Sequence, residues 1–256
     1  MDILEVRHVK KNYGVKKGEV ITEALKDVSF SVKPKEFVAI MGESGSGKST
    51  LLNIVSTLDA PTFGEVKIAN EKIKDIPNSK LALFRRKKLG FVFQDFNLLN
   101  SFNNKDNILL PLVLSGEKLA VLNQRLAKVV DLLNIQEIVN KYPYQISGGQ
   151  KQKVAIARAI ITNPEIIFAD EPTGSLDSNS SNKIMELFTT LNQKGQTIMM
   201  VTHSSKAAAY ANRVLFIKDG IIYHEIYRGQ ETNDSFNQRI IKSLSILEKG
   251  VDDYEK

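Results

Sequence analysis

A glycine-rich stretch in the first third of the chain has the residue types that hold phosphate groups. Glycines let backbone N–H groups curl around phosphate oxygens, a lysine reaches the β- and γ-phosphates, and a hydroxyl at a helix start can bind Mg²⁺. The pattern therefore predicts a site for the phosphates of a nucleotide, with Ser49 as a metal ligand. The stretch, "GESGSGKST", consists of Gly42, Glu43, Ser44, Gly45, Ser46, Gly47, Lys48, Ser49 and Thr50.

Two adjacent carboxylates, Asp170 and Glu171, end the apolar run "IIFADE". An Asp at the carboxyl end of a buried strand can hold Mg²⁺, usually through water. Side chains alternate along a strand, so Glu171 is expected to face the γ-phosphate and to polarise an attacking water. Alone, such a pair would more often cap a helix or sit in a surface turn. The phosphate loop in the same chain favours the catalytic interpretation.

A second anion site is indicated by "ISGGQ", residues 146–150. Ser147 and Gln150 have the spacing of a capping box, which predicts the start of a helix. Gly148 and Gly149 then expose bare N–H groups at the positive end of that helix, where an anion binds well. The phosphate loop lies about a hundred residues earlier, so this second site raises the question of whose phosphate it binds.

Hydrophobic patterns predict the elements that carry these residues. Near-continuous apolar runs predict parallel strands buried on both faces, and alternating runs predict half-buried strands. Asp219-Gly220 between two apolar runs predicts a hairpin. Residues 95–161 are mostly helical in pattern, which predicts an inserted helical subdomain. The continuous runs are residues 36–41, 165–170 and 197–202, the alternating ones residues 24–32 and 64–68, and the hairpin spans residues 213–226.

These elements predict an α/β fold: a phosphate-loop core with an antiparallel β subdomain and an α-helical insertion. We expect this domain to span residues 1–228, followed by a C-terminal helix and charged tail at 229–256. The helix is indicated by apolar residues at helical spacing, and it could pack on its own domain or dock a partner. We favour packing on its own domain. The apolar positions are Phe236, Ile240, Leu244 and Leu247.

Composition limits the class of protein. The chain has 256 residues, 42% of them hydrophobic, which fits one large domain or a core with a smaller satellite. It has no cysteine, so disulfides and thiolate metal sites are excluded. Neither a signal peptide nor a membrane-length apolar run is expected. The net charge of +6 comes from scattered basic residues without interleaved aromatics, so we expect no nucleic-acid partner.

Together with further residues in the same order, these motifs resemble the ATP-binding cassette (ABC) ATPases over about residues 3–223. The resemblance implies an Mg²⁺-dependent ATPase with ATP as its nucleotide. It rests on Tyr13 in an expected loop, the phosphate loop (Walker A), Gln94 in "FVFQDF", residues 147–150 (signature), Asp170 and Glu171 (Walker B), residues 175–177 (D-loop) and His203.

The resemblance also implies roles. Glu171, His203 and Gln94 are expected to be catalytic, Ser49, Gln94 and Asp170 to hold Mg²⁺, and Tyr13 to stack on adenine. In this family, two ATPase domains meet head to tail, and each signature helix covers the ATP of the other. Ser147, Gly148, Gly149 and Gln150 are therefore expected to contact ATP bound by a second subunit. The chain has one copy of each motif, so the resemblance implies that it works as a homodimer or beside a similar chain.

Several segments resemble one subgroup, the ATPases of mechanotransmission-type permeases (macrolide-efflux, lipoprotein-release and cell-division types). Within this subgroup, residues 201–220 and the C-terminal segment after them most resemble the ATPases of Gram-positive bacitracin- and lantibiotic-resistance systems, which implies a role in antimicrobial-peptide resistance or export. The resemblance also implies a peripheral subunit on the cytoplasmic face of the membrane that powers a separate permease, with a sensor kinase as a further possible partner. The alternative is an ATP-controlled signalling module of a cell-division-type membrane complex. The segments are "FVFQDFNLL", "NILLPL", "KYPYQISGGQ" and "FADEPTGSLD".

Overall fold

The structure, a computed structural model, describes residues 1–14 and 21–252, with side chains described as far as residue 246. The last four residues of the predicted charged tail and the side chain of Leu247 lie outside this part. The strands are β1 (Leu4–Tyr13), β2 (Thr22–Val32), β3 (Phe37–Met41), β4 (Phe63–Ile68), β5 (Glu71–Lys72), β6 (Leu89–Val92), β7 (Ile166–Asp170), β8 (Thr197–Val201), β9 (Arg213–Lys218) and β10 (Ile221–Tyr227). The helices are α1 (Lys48–Val55), α2 (Asn78–Lys88), α3 (Asn104–Val113), α4 (Leu119–Leu133), α5 (Gly148–Ile160), α6 (Ser178–Gln193), α7 (Ser205–Ala208) and α8 (Asn233–Asp252).

The described strands form one sheet in the order β5-β4-β1-β2-β10-β9-β3-β8-β7-β6. From β9 to β6 the neighbours are parallel. Both faces of this parallel part are buried, as the continuous apolar runs predict. In β3, for example, Phe37, Ala39 and Met41 belong to the core on one face, and Val38 and Ile40 belong to the core on the other.

In the other half of the sheet the strand pairs are antiparallel, as the alternating runs predict, except that β10 pairs with β2 in parallel. Strand β1 pairs with both β2 and β4, and β4 pairs with β5. Strands β9 and β10 form the predicted hairpin. Its turn residues, Asp219 and Gly220, both have positive φ (48° and 77°). That left-handed geometry matches the twist of the paired strands, and it is why a Gly is placed there.

Three helices, α3, α4 and α5, lie between β6 and β7 and pack against one another. The apolar stripe of α4 faces inward, with Val129, Val130 and Leu133 buried. The start of α3 is capped by Asn103, whose side chain accepts a hydrogen bond of 2.8 Å from the N–H of Asp106. These helices place the signature segment at one end of α5.

Helix α8 packs on the domain that precedes it. Phe236 and Ile240 are fully buried in the core that also contains the inner face of α6, and Leu244 packs partly against that core. The three predicted apolar positions that the structure describes, Phe236, Ile240 and Leu244, are thus used within the chain, whereas Ile241 and Ile246 are exposed. Within the part of the chain that the structure describes, no helix has the length and apolar composition needed to cross a membrane.

Candidate active site

The phosphate loop connects the fully buried β3 to the start of α1. The first helical hydrogen bond of α1 runs from the N–H of Leu51 to the carbonyl of Gly47, at 2.8 Å. The N–H groups of Lys48, Ser49 and Thr50 precede that bond, and no side chain caps them. Such free N–H groups at the positive end of a helix dipole are suited to binding phosphate.

At two positions in the loop, any residue with a Cβ atom would clash with the backbone of a neighbouring strand. A Cβ at Gly42 would come within 2.1 Å of the carbonyl oxygen of Ile217. At Gly47, φ is 103° and a Cβ would lie 2.6 Å from the carbonyl oxygen of Ala24. The loop is therefore pressed between β9 and β2, and only glycine permits that approach.

The lysine of the loop is held over the loop itself. Lys48 Nζ donates hydrogen bonds to the carbonyls of Gly42 (2.8 Å) and Glu43 (2.6 Å). Burial lowers the pKa of Lys48, while the negative charges of Glu171 and Asp170 act in the opposite direction. The ammonium group therefore lies between the loop carbonyls and the acid pair, where it can meet a phosphate.

The acid pair lies at the end of β7, but the strand does not aim Glu171 as expected. The strand ends at Asp170, and Glu171 has a left-handed backbone with φ of 43°. Its N–H still donates to the carbonyl of Val201 at 2.9 Å. Strand alternation is therefore not the reason for its direction, because the backbone turns at Glu171, but the side chain does line the cavity beside the phosphate loop, as predicted. A left-handed non-glycine residue costs on the order of 1–3 kcal/mol, which the surrounding contacts must offset.

The carboxylate of Glu171 is held by His203, which follows β8. Glu171 Oε1 lies 2.9 Å from His203 Nδ1, and Oε2 accepts the backbone N–H of His203 at 3.2 Å. The Glu171 side chain is 14% exposed, whereas that of His203 is 71% exposed. The glutamate is thus fixed at the wall of the site, and the histidine ring is free to meet a ligand.

A cavity of about 450 Å³ collects most of the predicted phosphate-site residues. Its wall is completed by the start of β2, through Thr22 and Glu23. The predicted residues that line it are Ser44, Gly45, Gly47, Lys48, Ser49, Thr50, Glu171 and His203.

Asp170 is not among the residues that line this cavity, and its surroundings disfavour the ionised carboxylate. Burial raises its pKa, the neighbouring Glu171 carboxylate adds to the rise, and Lys48 opposes it. Folding therefore favours the protonated form of Asp170, so above the raised pKa the ionised group costs stability. A bound cation would relieve that cost.

Replacing Asp170 with Asn should raise the melting temperature of the metal-free protein at neutral pH. The amide carries no charge to bury or to repel Glu171, and each kcal/mol regained raises Tm by about 2–4 °C in a chain of this size. The difference should shrink as the pH falls through the raised pKa, because wild-type Asp170 then becomes neutral. Thermal unfolding in a chelator at several pH values measures both effects. A variant that melts below wild type at neutral pH would contradict the electrostatic argument.

Gln94 and Tyr13 lie outside the lining of this cavity. Gln94 follows β6 and packs against Gly174, where a Cβ would lie 3.1 Å from Gln94 Nε2. Tyr13 is the last residue of β1 and not part of a loop, so that expectation is wrong: pairing with Thr22 extends the strand. The Tyr13 hydroxyl donates to Asp59 Oδ2 at 3.0 Å.

The signature segment forms the predicted capping box. Ser147 Oγ accepts the N–H of Gln150 at 3.3 Å, and Gln150 Oε1 accepts the N–H of Ser147 at 3.0 Å. Gly149 lies against α6, where a Cβ would be 3.1 Å from Ser180 Oγ. This helix start lines another cavity, of about 460 Å³, that shares no lining residue with the phosphate cavity. One chain therefore does not bring its two anion sites together.

Sequence reasoning did not single out Gln152 or Arg158, two polar residues of α5. Gln152 is fully buried, and Arg158 donates hydrogen bonds to two backbone carbonyls near Gln94. A signal for Gln152 was present in the sequence. It shares one helix face with Ile156 and Ala159, which are both buried, so it is a polar residue in an apolar stripe.

A glycine loop between a buried parallel strand and a helix, with an acid at the end of a nearby strand, defines a P-loop nucleoside triphosphatase. Comparison with known proteins gives the family. The profile described as "ABC transporter" matches residues 25–174. The ABC transporter ATP-binding protein YxdL of Bacillus subtilis is 47% identical over 98% of this chain and 97% of its own length.

The bacitracin export ATP-binding protein BceA of Halalkalibacterium halodurans is 45% identical over 96% of this chain and 97% of its own length. Among solved structures, a dimeric post-hydrolysis state of the ATP-binding cassette MJ0796 of Methanocaldococcus jannaschii, bound to ADP and Pi, superposes with a TM-score of 0.78. That structure is 43% identical, and the match covers 88% of this chain and 98% of the other. The chain belongs to the ABC transporter family, as an ATP-hydrolysing subunit. The predictions of family and fold class are confirmed.

Proposed function

We propose that two copies of this subunit meet head to tail, with ATP between the phosphate loop of one copy and the signature helix of the other. The observation that carries this proposal is the separation of the two anion sites into cavities without a common lining residue. Each site presents N–H groups at a helix start, but neither alone surrounds a triphosphate. The MJ0796 cassette, which is dimeric in its solved structures, supports the arrangement.

In each composite site, Glu171 is the general base. It accepts a proton from the water that attacks the γ-phosphorus, and ADP leaves with the bonding electron pair. His203 holds the carboxylate at 2.9 Å and presents its exposed ring to the γ-phosphate. Lys48 and the N–H groups at the start of α1 oppose the negative charge of the phosphates. The partner's Ser147 and Gly149 complete the enclosure.

The residues present also fit Mg²⁺. Ser49, Asp170 and Gln94 offer oxygen ligands, which this hard cation prefers, and the buried charge of Asp170 is the one a cation would offset. Among the described residues, no cluster of three or more His, Cys, Asp or Glu side chains is placed to hold a metal by itself. Mg²⁺ commonly binds through one or two carboxylates plus substrate phosphates. When bound, it would neutralise charge on the β- and γ-phosphates.

Tyr13 is proposed to stack on the adenine ring. Its neighbour across the strand pair, Thr22, lines the phosphate cavity, and its hydroxyl is fixed by Asp59. Tyr13→Ala should weaken ATP binding by about 1–3 kcal/mol, the usual effect of removing one stacked aromatic ring. Tyr13→Phe keeps the ring and should bind ATP like wild type. Equilibrium titration with a fluorescent ATP analogue compares the two, and equal loss in both variants would contradict stacking.

The partner that uses the ATPase is proposed to be a separate membrane permease. A groove of about 410 Å³ lies beside the segment that carries Gln94, and its lining includes apolar side chains such as Leu89 and Phe91. At its rim, Leu58 is 51% and Leu114 59% exposed. A short amphipathic permease helix would bury this apolar surface, which otherwise remains in water. The subunit would then work on the cytoplasmic face of the membrane, and a sensor kinase could join through the permease.

The transported molecules are proposed to be antimicrobial peptides. The relative named for bacitracin export matches nearly the whole chain, at 45% identity. Specificity would then reside in the permease, because the part proposed for this chain is to bind and hydrolyse ATP.

Capture of the permease tests this proposal. A tagged Leu114→Glu variant should lose a co-purifying permease, because a carboxylate would be buried in the groove, while its basal ATP hydrolysis stays unchanged. Leu119→Glu is the matched control, since Leu119 is 71% exposed but does not line the groove. Recovery of a large permease with wild type and the control only is the expected result. Recovery of a small division-type membrane protein with cell-wall enzymes would favour the signalling alternative.

A further inference from the structure

Gln152 is a fully buried polar side chain on the helix that begins at the signature segment. Its Nε2 donates a hydrogen bond of 2.7 Å to the carbonyl of Pro172 and a longer one of 3.4 Å to the carbonyl of Phe93. Pro172 directly follows Glu171, and Phe93 directly precedes Gln94. One amide group therefore joins the signature helix to the backbone beside both residues.

The chemistry of the amide explains why a glutamine is suited to this place. Its nitrogen has two N–H donors, which match two carbonyl acceptors, and a flipped amide would place its oxygen against both carbonyls. A buried carbonyl without a donor is costly, because it loses its hydrogen bond to water without a replacement. No apolar side chain of the same size could satisfy either of them.

A second side chain of helix α5, Arg158, also forms hydrogen bonds to the segment that follows Phe93. Its guanidinium donates to the carbonyls of Phe96 (2.8 Å) and Asn97 (2.5 Å). Both residues have left-handed backbones, with φ of 60° and 48°, so the segment is held in a conformation that it would not adopt alone. The signature helix and the segment around Gln94 are thus tied together at two points.

We propose that Gln152 is a positioning residue for ATP hydrolysis, which holds the Glu171 turn and the Gln94 segment in fixed register with the signature helix. The proposal rests on the roles proposed above for Glu171 and Gln94. Gln152 is fully buried and lines neither of the two anion cavities. It acts through the backbone that aims Glu171, whose left-handed conformation leaves the carboxylate direction sensitive to the position of Pro172.

The test compares two glutamines at opposite ends of β7. Gln152→Met removes the donors at similar size. Gln196→Met is the matched control, because Gln196 Nε2 also donates to a proline carbonyl, that of Pro164 (3.1 Å), and to that of Thr197 (3.2 Å), before the strand and away from the site. A misplaced catalytic group commonly costs up to about 10²-fold in rate. We expect kcat of Gln152→Met to fall about 10- to 100-fold with little change in KM for ATP, and kcat of Gln196→Met to stay near wild type.

Gln152→Leu is the second variant if the Met variant does not fold, because it also removes both N–H donors and has a different apolar shape. Wild-type kcat in the folded variant would overturn the proposal, as would an equal fall in Gln196→Met. Failure of both Gln152 variants to fold would also overturn it, by showing a structural role. Glu171→Gln, measured in parallel, separates the two claims. If it keeps wild-type turnover, the assignment of Glu171 is wrong. If it is inactive while Gln152→Met is fully active, only the positioning role is wrong.

Discussion

Replacing Glu171 with Gln is expected to lower ATP turnover by about 10²–10⁴-fold, the range for a lost general base, and to leave ATP binding intact. The amide has nearly the same shape as the carboxylate, so the left-handed backbone and one acceptor for the N–H of His203 can both remain. What is lost is the ability to take a proton from water. The variant should therefore accumulate as an ATP-bound dimer, because hydrolysis of the bound ATP, which would allow the dimer to separate, is blocked.

Three measurements check this expectation: steady-state phosphate release, equilibrium ATP binding, and size-exclusion chromatography with ATP and Mg²⁺. Glu165→Gln is the matched control. Glu165 lies just before β7, at the end opposite Glu171, and pairs with Lys88 on the surface at 3.1 Å. Its removal should change turnover little, since exposed ion pairs contribute about 0–1 kcal/mol. Turnover of Glu171→Gln near that of wild type would show that another group, or no base, activates the water.

Replacing Ser147 with Arg is expected to abolish detectable hydrolysis while the monomer still binds ATP. The long arginine side chain would occupy the anion site at the start of α5 and block the γ-phosphate of ATP bound by the partner subunit. The phosphate loop is unaffected, because it lines a different cavity. Loss of the capping box should also cost about 1 kcal/mol of stability. Asn103→Arg, which removes the cap of α3, controls for that loss.

Mixing two inactive variants gives the sharpest test of composite sites. In a mixed head-to-tail dimer, Ser147→Arg supplies an intact phosphate loop and Glu171, and Glu171→Gln supplies an intact signature. One of the two sites is then complete, so random pairing leaves about a quarter of all sites intact. Partial recovery of turnover on mixing is the expected result. No recovery from folded proteins that do form mixed dimers would mean that each site is built within one chain, as would loss of ATP binding by monomeric Ser147→Arg.

Features that depend on neighbours along the chain were predictable from the amino-acid sequence. The phosphate loop follows from the spacing of its glycines, lysine and hydroxyl residues, and the left-handed backbone of Gly47 (φ of 103°) is one that glycine adopts readily. The capping box follows from the three-residue spacing of Ser147 and Gln150, because their side chains bond to backbone only one helical turn away. Buried parallel strands follow from continuous apolar runs, since both faces of such strands must leave water.

The direction of the Glu171 side chain and the contacts that hold it depend instead on tertiary structure. The left-handed turn at Glu171 persists because contacts from β8 and from His203 outweigh its local cost, and neither is near in sequence. The double hydrogen bond of Gln152 joins residues 20 and 59 positions apart. The separation of the two anion sites into distinct cavities is likewise a property of how α5 packs against the sheet. Such arrangements depend on which segments meet across the core, and no spacing along the chain encodes that directly.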